Sequence, residues 1–100
     1  MQLAAKAAQL AIQRLAENSA QVKITDHACE RMEERGFTTR DLFLVLCKGT
    51  VEEKPIRTDQ GDWKCKIVKR LPGQREAGVV TVIQRNNRLI IVTMEWEDLR

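Results

Sequence analysis

The chain is 100 residues long, which suits one domain, and its 43% hydrophobic and 31% charged residues, with a net charge of +3, are typical of a globular protein. Its three cysteines lack the spacing of metal ligands, and no apolar run approaches the ~20 residues of a membrane span. These features exclude a disulfide-rich secreted protein, a zinc finger and a membrane protein, so we expect a cytoplasmic protein with reduced thiols, no metal and no cofactor.

Residues 2–18 are expected to form a helix, because strong helix formers such as alanine, leucine and glutamine dominate them. The apolar face of this helix is shallow, since most of its members are alanine. We therefore expect it at the periphery of a single domain, residues 1–100, whose core lies in residues 24–96. Packing on that domain, pairing with a second copy and forming the tail of a longer protein all remain open for this face.

Two more helices are expected in the first half of the chain. The first covers residues 26–35, with Thr25 or Asp26 supplying the N-cap oxygen, and the second covers residues 39–48, with Thr38 as its N-cap. A glycine follows each of them and ends it. The middle of the last helix is apolar on nearly all sides, which predicts a core helix covered by the sheet and by the other helices.

The second half of the chain has the alternation and the β-branched residues of strands. The first strand contains Pro55 and is therefore expected at an edge of the sheet. Asn86-Asn87 suits a two-residue hairpin, because asparagine tolerates a positive φ. Strands are expected over residues 51–57, 63–68, 78–85 and 88–96. The predicted fold is α+β, with N-terminal helices packed on a four-stranded antiparallel sheet in the order ααα-ββββ.

His27, Arg31 and Arg35 lie at positions i, i+4 and i+8 of the second predicted helix and share an arc of about 80°. RNA cleavage without a metal needs a base for the 2′-OH proton, cations for the charge that develops on phosphorus, and an acid for the 5′-oxygen. An imidazole changes charge near neutral pH, and guanidinium groups bind phosphate. His27 is therefore a candidate acid or base, and both arginines are candidate phosphate ligands. The alternative is structural: a histidine that makes only local hydrogen bonds, with arginines that pair with nearby glutamates, would give the same sequence pattern.

The sheet half is the basic half of the chain, with eight basic and three acidic residues from Arg57 to Arg88. Lys64 and Lys66 share one face of their predicted strand, and Arg70 is in the same phase. One interpretation is a surface for the RNA backbone. The other is a solvated strand face whose lysines protect a sheet edge.

Two more side chains of the predicted sheet are candidates for an RNA site. Trp63 has the surface to stack on a base, although a residue at its place in an alternating strand is more often a core residue. Thr93 is a hydroxyl among apolar neighbours in the last strand, and it is a candidate for a catalytic role or a structural one.

The segment TDHACERMEERGF, residues 25–37, followed by Asp41-Leu42 and Gly49, resembles a small bacterial family, the domain of unknown function 4258. The resemblance covers about residues 24–96. That family in turn resembles the RelE and ParE toxins and the barnase-like ribonucleases, which are small α+β proteins. The resemblance implies a metal-independent endoribonuclease of a toxin system, with His27, Arg31, Arg35 and Thr93 as its site residues.

Three functions follow as alternatives. The first is the toxin-type endoribonuclease, which acts on RNA and is held by an acidic antitoxin or immunity protein. The second is a non-catalytic module that binds nucleic acid or protein through the same basic surface. The third is a structural protein that forms a homodimer through the N-terminal helix. None of the three involves a membrane.

Overall fold

The computed structural model describes residues 3–73 and 75–97, which form three helices and a six-stranded sheet around one core. The helices are α1 (Ala5–Ala16), α2 (Asp26–Arg35) and α3 (Thr39–Lys48), and a single 3-10 turn (Ser19–Gln21) follows α1. The strands are β1 (Val22–Ile24), β2 (Thr50–Val51), β3 (Ile56–Arg57), β4 (Trp63–Arg70), β5 (Glu76–Ile83) and β6 (Leu89–Trp96). The predicted α+β class is confirmed, but β1 lies between α1 and α2, so the predicted order ααα-ββββ is wrong at that point.

Three eight-residue strands, β4, β5 and β6, form the centre of the sheet, whose strand order is β1-β6-β5-β4-β2. Neighbours are antiparallel except at one edge, where β1 runs parallel to β6 and Val22 lies opposite Leu89. At the other side, β2 and β3 pair with different parts of β4. The central strands are long enough to bring residues from three separate segments into common cross-strand rows.

The helices pack on one face of this sheet and bury it. Cross-strand rows on that face include Ile67–Val79–Met94, and all three side chains are fully buried. α3 lies over β4 and β5, and α2 lies beside β6. Each helix of the described chain is too short or too polar to cross a membrane.

The first helix belongs to this core rather than to its periphery, where sequence analysis placed it. Its buried residues are Ala8, Ile12, Leu15 and Ala16. The side chain of Gln9 accepts a hydrogen bond from the Val51 amide (3.0 Å), and that of Gln13 donates one to the Gly49 carbonyl (3.2 Å). Small alanines let α1 approach α3 and β2 closely, so a shallow apolar face here allows tight packing.

The ends of α2 and α3 follow the predicted capping chemistry. The Thr25 hydroxyl, rather than Asp26, accepts the hydrogen bond from the Ala28 amide at the start of α2 (3.1 Å). At its end, Gly36 takes a left-handed conformation with φ 76°, which favours glycine. Thr38 caps α3 as expected. Both helices therefore begin and end where local side-chain chemistry sets them.

The prediction of four strands is wrong, because the sheet has six. β1 has only three residues, too few to show an alternating pattern, and its partner β6 is distant in the sequence. The strand expected over residues 51–57 is split into β2 and β3, because the segment 52–55, which contains Pro55, leaves β4 between them. The hairpin has a three-residue loop, 85–87, since Gln84 and Arg88 still pair. Asn87 has the expected positive φ, 63°.

Candidate nucleic-acid interface

The face of the sheet opposite the helices is lined by alternate residues of β4, β5 and β6, and we call it the open face. In the described part of the chain no helix lies on it. Its cross-strand rows are Lys64–Val82–Ile90, Lys66–Val80–Thr93 and Val68–Gly78–Glu95. The open face thus combines two lysines with half-buried valine and isoleucine, and it brings the predicted residues of β4 and β6 onto one surface.

A β-bulge in β6 places Thr93 on this face. Ile91 lies opposite Thr81 and Thr93 lies opposite Val80, so Val92 has no partner in the register. Without this extra residue, strict alternation would put Thr93 on the same face as Ile91, which is fully buried. The bulge reverses the phase, and Met94 takes the core position instead. The Thr93 hydroxyl makes no hydrogen bond to any described residue.

Helix α2 is attached along the edge of β6, beyond the point where β1 ends. At its start, the Thr25 hydroxyl donates to the carbonyl oxygens of Ile91 (2.9 Å) and Val92 (3.4 Å). At its end, Arg35 Nη1 donates to the Met94 carbonyl (2.6 Å). The indole N–H of Trp96 donates in return to the Arg35 carbonyl (3.1 Å). Hydrogen bonds at both ends therefore hold the helix against the strand that carries the bulge.

Arg35 reaches β6, and helical spacing places Arg31 and His27 on the same side of α2 as Arg35. The three side chains nevertheless differ in their surroundings. Arg31 pairs with Glu34, with Nη1–Oε distances of 2.7 and 2.8 Å, on the surface of the helix. His27 is exposed and makes no hydrogen bond to a described residue. No hydrogen bond or ion pair among the described residues joins His27 to Thr93.

The basic residues of β4 are not equivalent. Lys64 is exposed, whereas Lys66 is half-buried and its Nζ lies 2.8 Å from Glu97 Oε1 and 3.8 Å from Glu95 Oε2. The hydrogen bond to Glu97 raises the pKa of Lys66 above its ordinary value of 10.5, against the opposing effect of partial burial. Arg70 is exposed at the end of the strand, opposite Glu76.

Trp63 lies apart from these lysines. It occupies the alternate phase of β4, opposite Ile83, and therefore points to the other face of the sheet. Its ring contacts the guanidinium of Arg57, whose Cζ lies 5.2 Å from the ring centroid. The structure thus brings Lys64, Lys66 and Thr93 onto one face and leaves Trp63 off it.

Two acidic residues and one glycine of the open face were missed by sequence analysis. Glu95 and Glu97 both reach Lys66, and Glu97 lies directly over Gly78. The alternation of β5 gives no sign that Gly78 has a specific neighbour. Only the register of β5 against β6, with its bulge, places the two carboxylates beside the lysine.

A cavity of about 400 Å³ opens on the same face beside Lys66. The segment between β2 and β3 forms its outer wall, and Ile56, which is 70% exposed, stands at its rim. Its lining consists of Glu53, Lys54, Ile56, Lys64, Cys65, Lys66, Val80 and Glu95. Cavities of this size commonly hold small ligands. No three His, Cys, Asp or Glu side chains within residues 3–73 and 75–97 are grouped closely enough to hold a metal ion.

Comparison with the profiles of protein families gives a match. The profile of a family described as a domain of unknown function (DUF4258) matches residues 24–96. This range includes α2, the bulge and the open face, and it leaves α1 outside. No curated protein matches the chain.

Proposed function

This chain belongs to the family of DUF4258 domains, and we propose that it is a metal-independent endoribonuclease of toxin type, similar in fold to the RelE-like and barnase-like ribonucleases. The observation that carries the proposal is the bulge that turns Thr93 onto the open face, beside the strand edge to which α2 is attached. β-bulges often re-aim a side chain next to an active site. Here the re-aimed side chain is a hydroxyl without a hydrogen-bond partner among the described residues.

In the proposed reaction the 2′-oxygen of RNA attacks the adjacent phosphorus. A P–O2′ bond forms, the P–O5′ bond breaks, and the products are a 2′,3′-cyclic phosphate and a free 5′-hydroxyl. The exposed imidazole of His27 takes the proton from the 2′-OH or gives one to the 5′-oxygen, and water makes the other proton transfer. Both proton transfers need an accessible group, which His27 is.

The remaining residues stabilise the negative charge on the phosphate. Arg31 is half-exposed and its partner Glu34 is 58% exposed, so this ion pair can open towards an incoming phosphate at little cost. Thr93 donates a hydrogen bond to a phosphate oxygen. Lys64, Lys66 and Arg70 hold the RNA backbone on either side of the scissile bond.

The test is cleavage of total RNA in the presence of EDTA, which removes metal-dependent activity. Three variants are compared with wild type: His27→Ala, Arg31→Ala and Thr93→Val. We expect losses of about 10²- to 10⁴-fold for His27→Ala and about 10²- to 10³-fold for Arg31→Ala. Arg40→Ala is the matched control, because it removes an exposed arginine from α3, away from the open face.

Each outcome has a definite meaning. Cleavage by wild type that ends in a 2′,3′-cyclic phosphate and disappears in the His27 variant supports the mechanism. RNA binding without cleavage, both for free RNA and for ribosomes that carry messenger RNA, instead favours a non-catalytic binding module. Equal losses in the Arg40 variant would show that the assay follows net charge and not the site.

We further propose an acidic partner protein, an antitoxin or immunity protein, because the open face and β4 present lysines that complement it. Purification from the native host should yield a stoichiometric complex, and recovery of the protein alone would contradict this. A homodimer through α1 would have to use Leu10, which is 54% exposed, because the larger apolar side chains Ile12 and Leu15 are buried in the core. Sedimentation of wild type and Leu10→Glu tests it.

A further inference from the structure

Glu97 occupies a place on the open face that only a glycine leaves vacant. A Cβ atom at position 78 would lie 2.6 Å from Glu97 Oε2, closer than real Cβ atoms come, and 3.1 Å from Lys66 Cδ, which is a tight contact. The backbone of Glu97 is fixed by a hydrogen bond from its amide to the Glu76 carbonyl (2.8 Å). The Glu97 carboxylate therefore lies over Gly78, against the surface of the sheet.

The carboxylate is held there by one contact. Its Oε1 lies 2.8 Å from Lys66 Nζ, whereas its Oε2 is buried and accepts no hydrogen bond from the described residues. A buried acceptor without a hydrogen-bond donor destabilises the arrangement, because it has lost its hydrogen bonds to water. The contact of Glu97 with Lys66 thus combines a favourable ion pair with the unfavourable burial of Oε2. Another anion bound at Lys66 would let the Glu97 carboxylate return to water.

We propose that Lys66, beside Gly78, forms a binding site for a phosphate-type oxyanion. In the free protein the Glu97 carboxylate occupies this site, and the ligand displaces it. The inference rests on the proposed function in one respect, since it takes the ligand to be a phosphodiester of RNA. Lys66 lies in the same cross-strand row as Val80 and Thr93, so a phosphate bound there lies on the same band of the open face as the Thr93 hydroxyl. The adjoining cavity of about 400 Å³ leaves room for the attached nucleoside.

The experiment measures binding without cleavage. A fluorescent 2′-O-methyl RNA oligonucleotide, which has no 2′-OH to attack phosphorus, is titrated with protein at several salt concentrations. We expect Glu97→Gln to bind roughly three- to tenfold more tightly than wild type, because Lys66 no longer has to give up an internal partner. The salt slope should steepen by about 0.7, because Lys66 then neutralises one more RNA phosphate and so releases a cation condensed on the RNA.

Three further substitutions separate this effect from a general change of charge. Glu95→Gln removes the same charge from the same face, but its carboxylate is farther from Lys66, at 3.8 Å. We expect it to tighten binding less than Glu97→Gln does. Lys66→Met should weaken binding and should abolish the gain from Glu97→Gln in the double variant. Gly78→Ala, which pushes the carboxylate away without changing any charge, should also tighten binding if circular dichroism shows the native fold.

Equal effects of the Glu95 and Glu97 variants, or a Glu97→Gln gain that survives in the Lys66→Met background, would overturn the proposal. Inorganic phosphate, exchanged for chloride at equal ionic strength, separates two sources of the ligand. Competition at micromolar phosphate that depends on Lys66 assigns the site to free phosphate, and its absence assigns the site to the nucleic-acid backbone. Because the oligonucleotide cannot be cleaved, these results stand even if the chain fails to cut RNA.

Discussion

The guanidinium of Arg35 donates a hydrogen bond of 2.6 Å to the backbone carbonyl of Met94, which attaches the last turn of α2 to the edge of β6. One turn earlier, the one described residue that pairs with Arg31 is Glu34 of its own helix. Both arginines belong to the motif that resembles the family, and sequence analysis gave them the same role. Their contacts give them different roles. Arg35 is bound to the backbone of β6, whereas Arg31 can leave Glu34 and bind a ligand.

Arg35→Gln should destabilise the fold, because the Met94 carbonyl loses a charged donor in a half-buried position. We expect a decrease of about 1.5–3 kcal/mol in the free energy of unfolding, measured with urea. Arg31→Gln removes only a surface ion pair and should change this free energy by less than about 0.5 kcal/mol. Equal effects of the two substitutions on stability would contradict the division of roles.

Thr25 connects helix and strand as well as capping α2, because its hydroxyl bonds to the Ala28 amide and to the Ile91 and Val92 carbonyls. Thr25→Ala should therefore lower the free energy of unfolding by about 2–3 kcal/mol and reduce RNA cleavage. Thr38→Ala is the matched control, since it removes the N-cap of α3 without touching β6. It should cost about 1 kcal/mol and leave cleavage by the folded protein unchanged.

Gly49 and Gly36 both end helices, but substitution should affect them very differently. A Cβ at position 49 would lie 2.4 Å from the Val45 carbonyl oxygen and 2.7 Å from that of Val68, and backbone atoms cannot move aside easily. Gly49→Ala should therefore lower the free energy of unfolding by more than about 3 kcal/mol. A Cβ at Gly36 meets no atom within 4 Å, and only its φ of 76° opposes alanine. Gly36→Ala should cost about 1 kcal/mol, and thermal melts of both variants check the order.

Local features of the fold were predictable, because a helix cap involves residues three positions apart. Thr25, Thr38 and Gly36 therefore marked the ends of α2 and α3 correctly. β1 was not predictable, since its three residues have no pattern of their own and acquire a partner only from β6. The order of the helices and the main strands followed from composition and alternation alone.

The candidate site was likewise predictable in its local features and not in those that depend on strand register. The shared side of α2 follows from helical spacing, and α2 lies at β6. Thr93 was a candidate as a hydroxyl among apolar neighbours and through the resemblance, but the alternation of β6 assigns it to the core and only the bulge at Val92 reverses that. The contact of Glu97 with Lys66 depends on the register of three strands, which a single sequence does not reveal.

The three thiols should differ in reactivity. Cys29 is exposed, whereas Cys65 is buried, and burial raises the pKa of the Cys65 thiol above its ordinary value of 9.0 despite its contact with Thr81. The thiolate is the reactive form, so at pH 8 an alkylating reagent should modify Cys29 quickly and Cys65 only after unfolding in urea. Mass spectrometry of the digested protein reads each site separately.

The sign of the Cys65 shift also predicts a dependence of stability on pH. The pKa in the fold lies above that of the unfolded chain, so the favourable contribution is complete below pH 9.0 and is lost as the pH rises through the higher value. Cys65→Ala should remove this alkaline loss. A thiol that reacts at pH 8 as fast as Cys29 would contradict both expectations.

The pairing of β1 with β6, and the bond from Thr25 to Ile91, have a consequence for synthesis of the protein. The partners are 66 or 67 residues apart, so α2, which carries His27 and Arg31, cannot pack on β6 until the end of β6 has left the ribosome. A growing chain can form its helices early, but it cannot yet form the site. If the proposed activity is correct, a ribosome that makes this protein is not exposed to it before translation of β6 is complete.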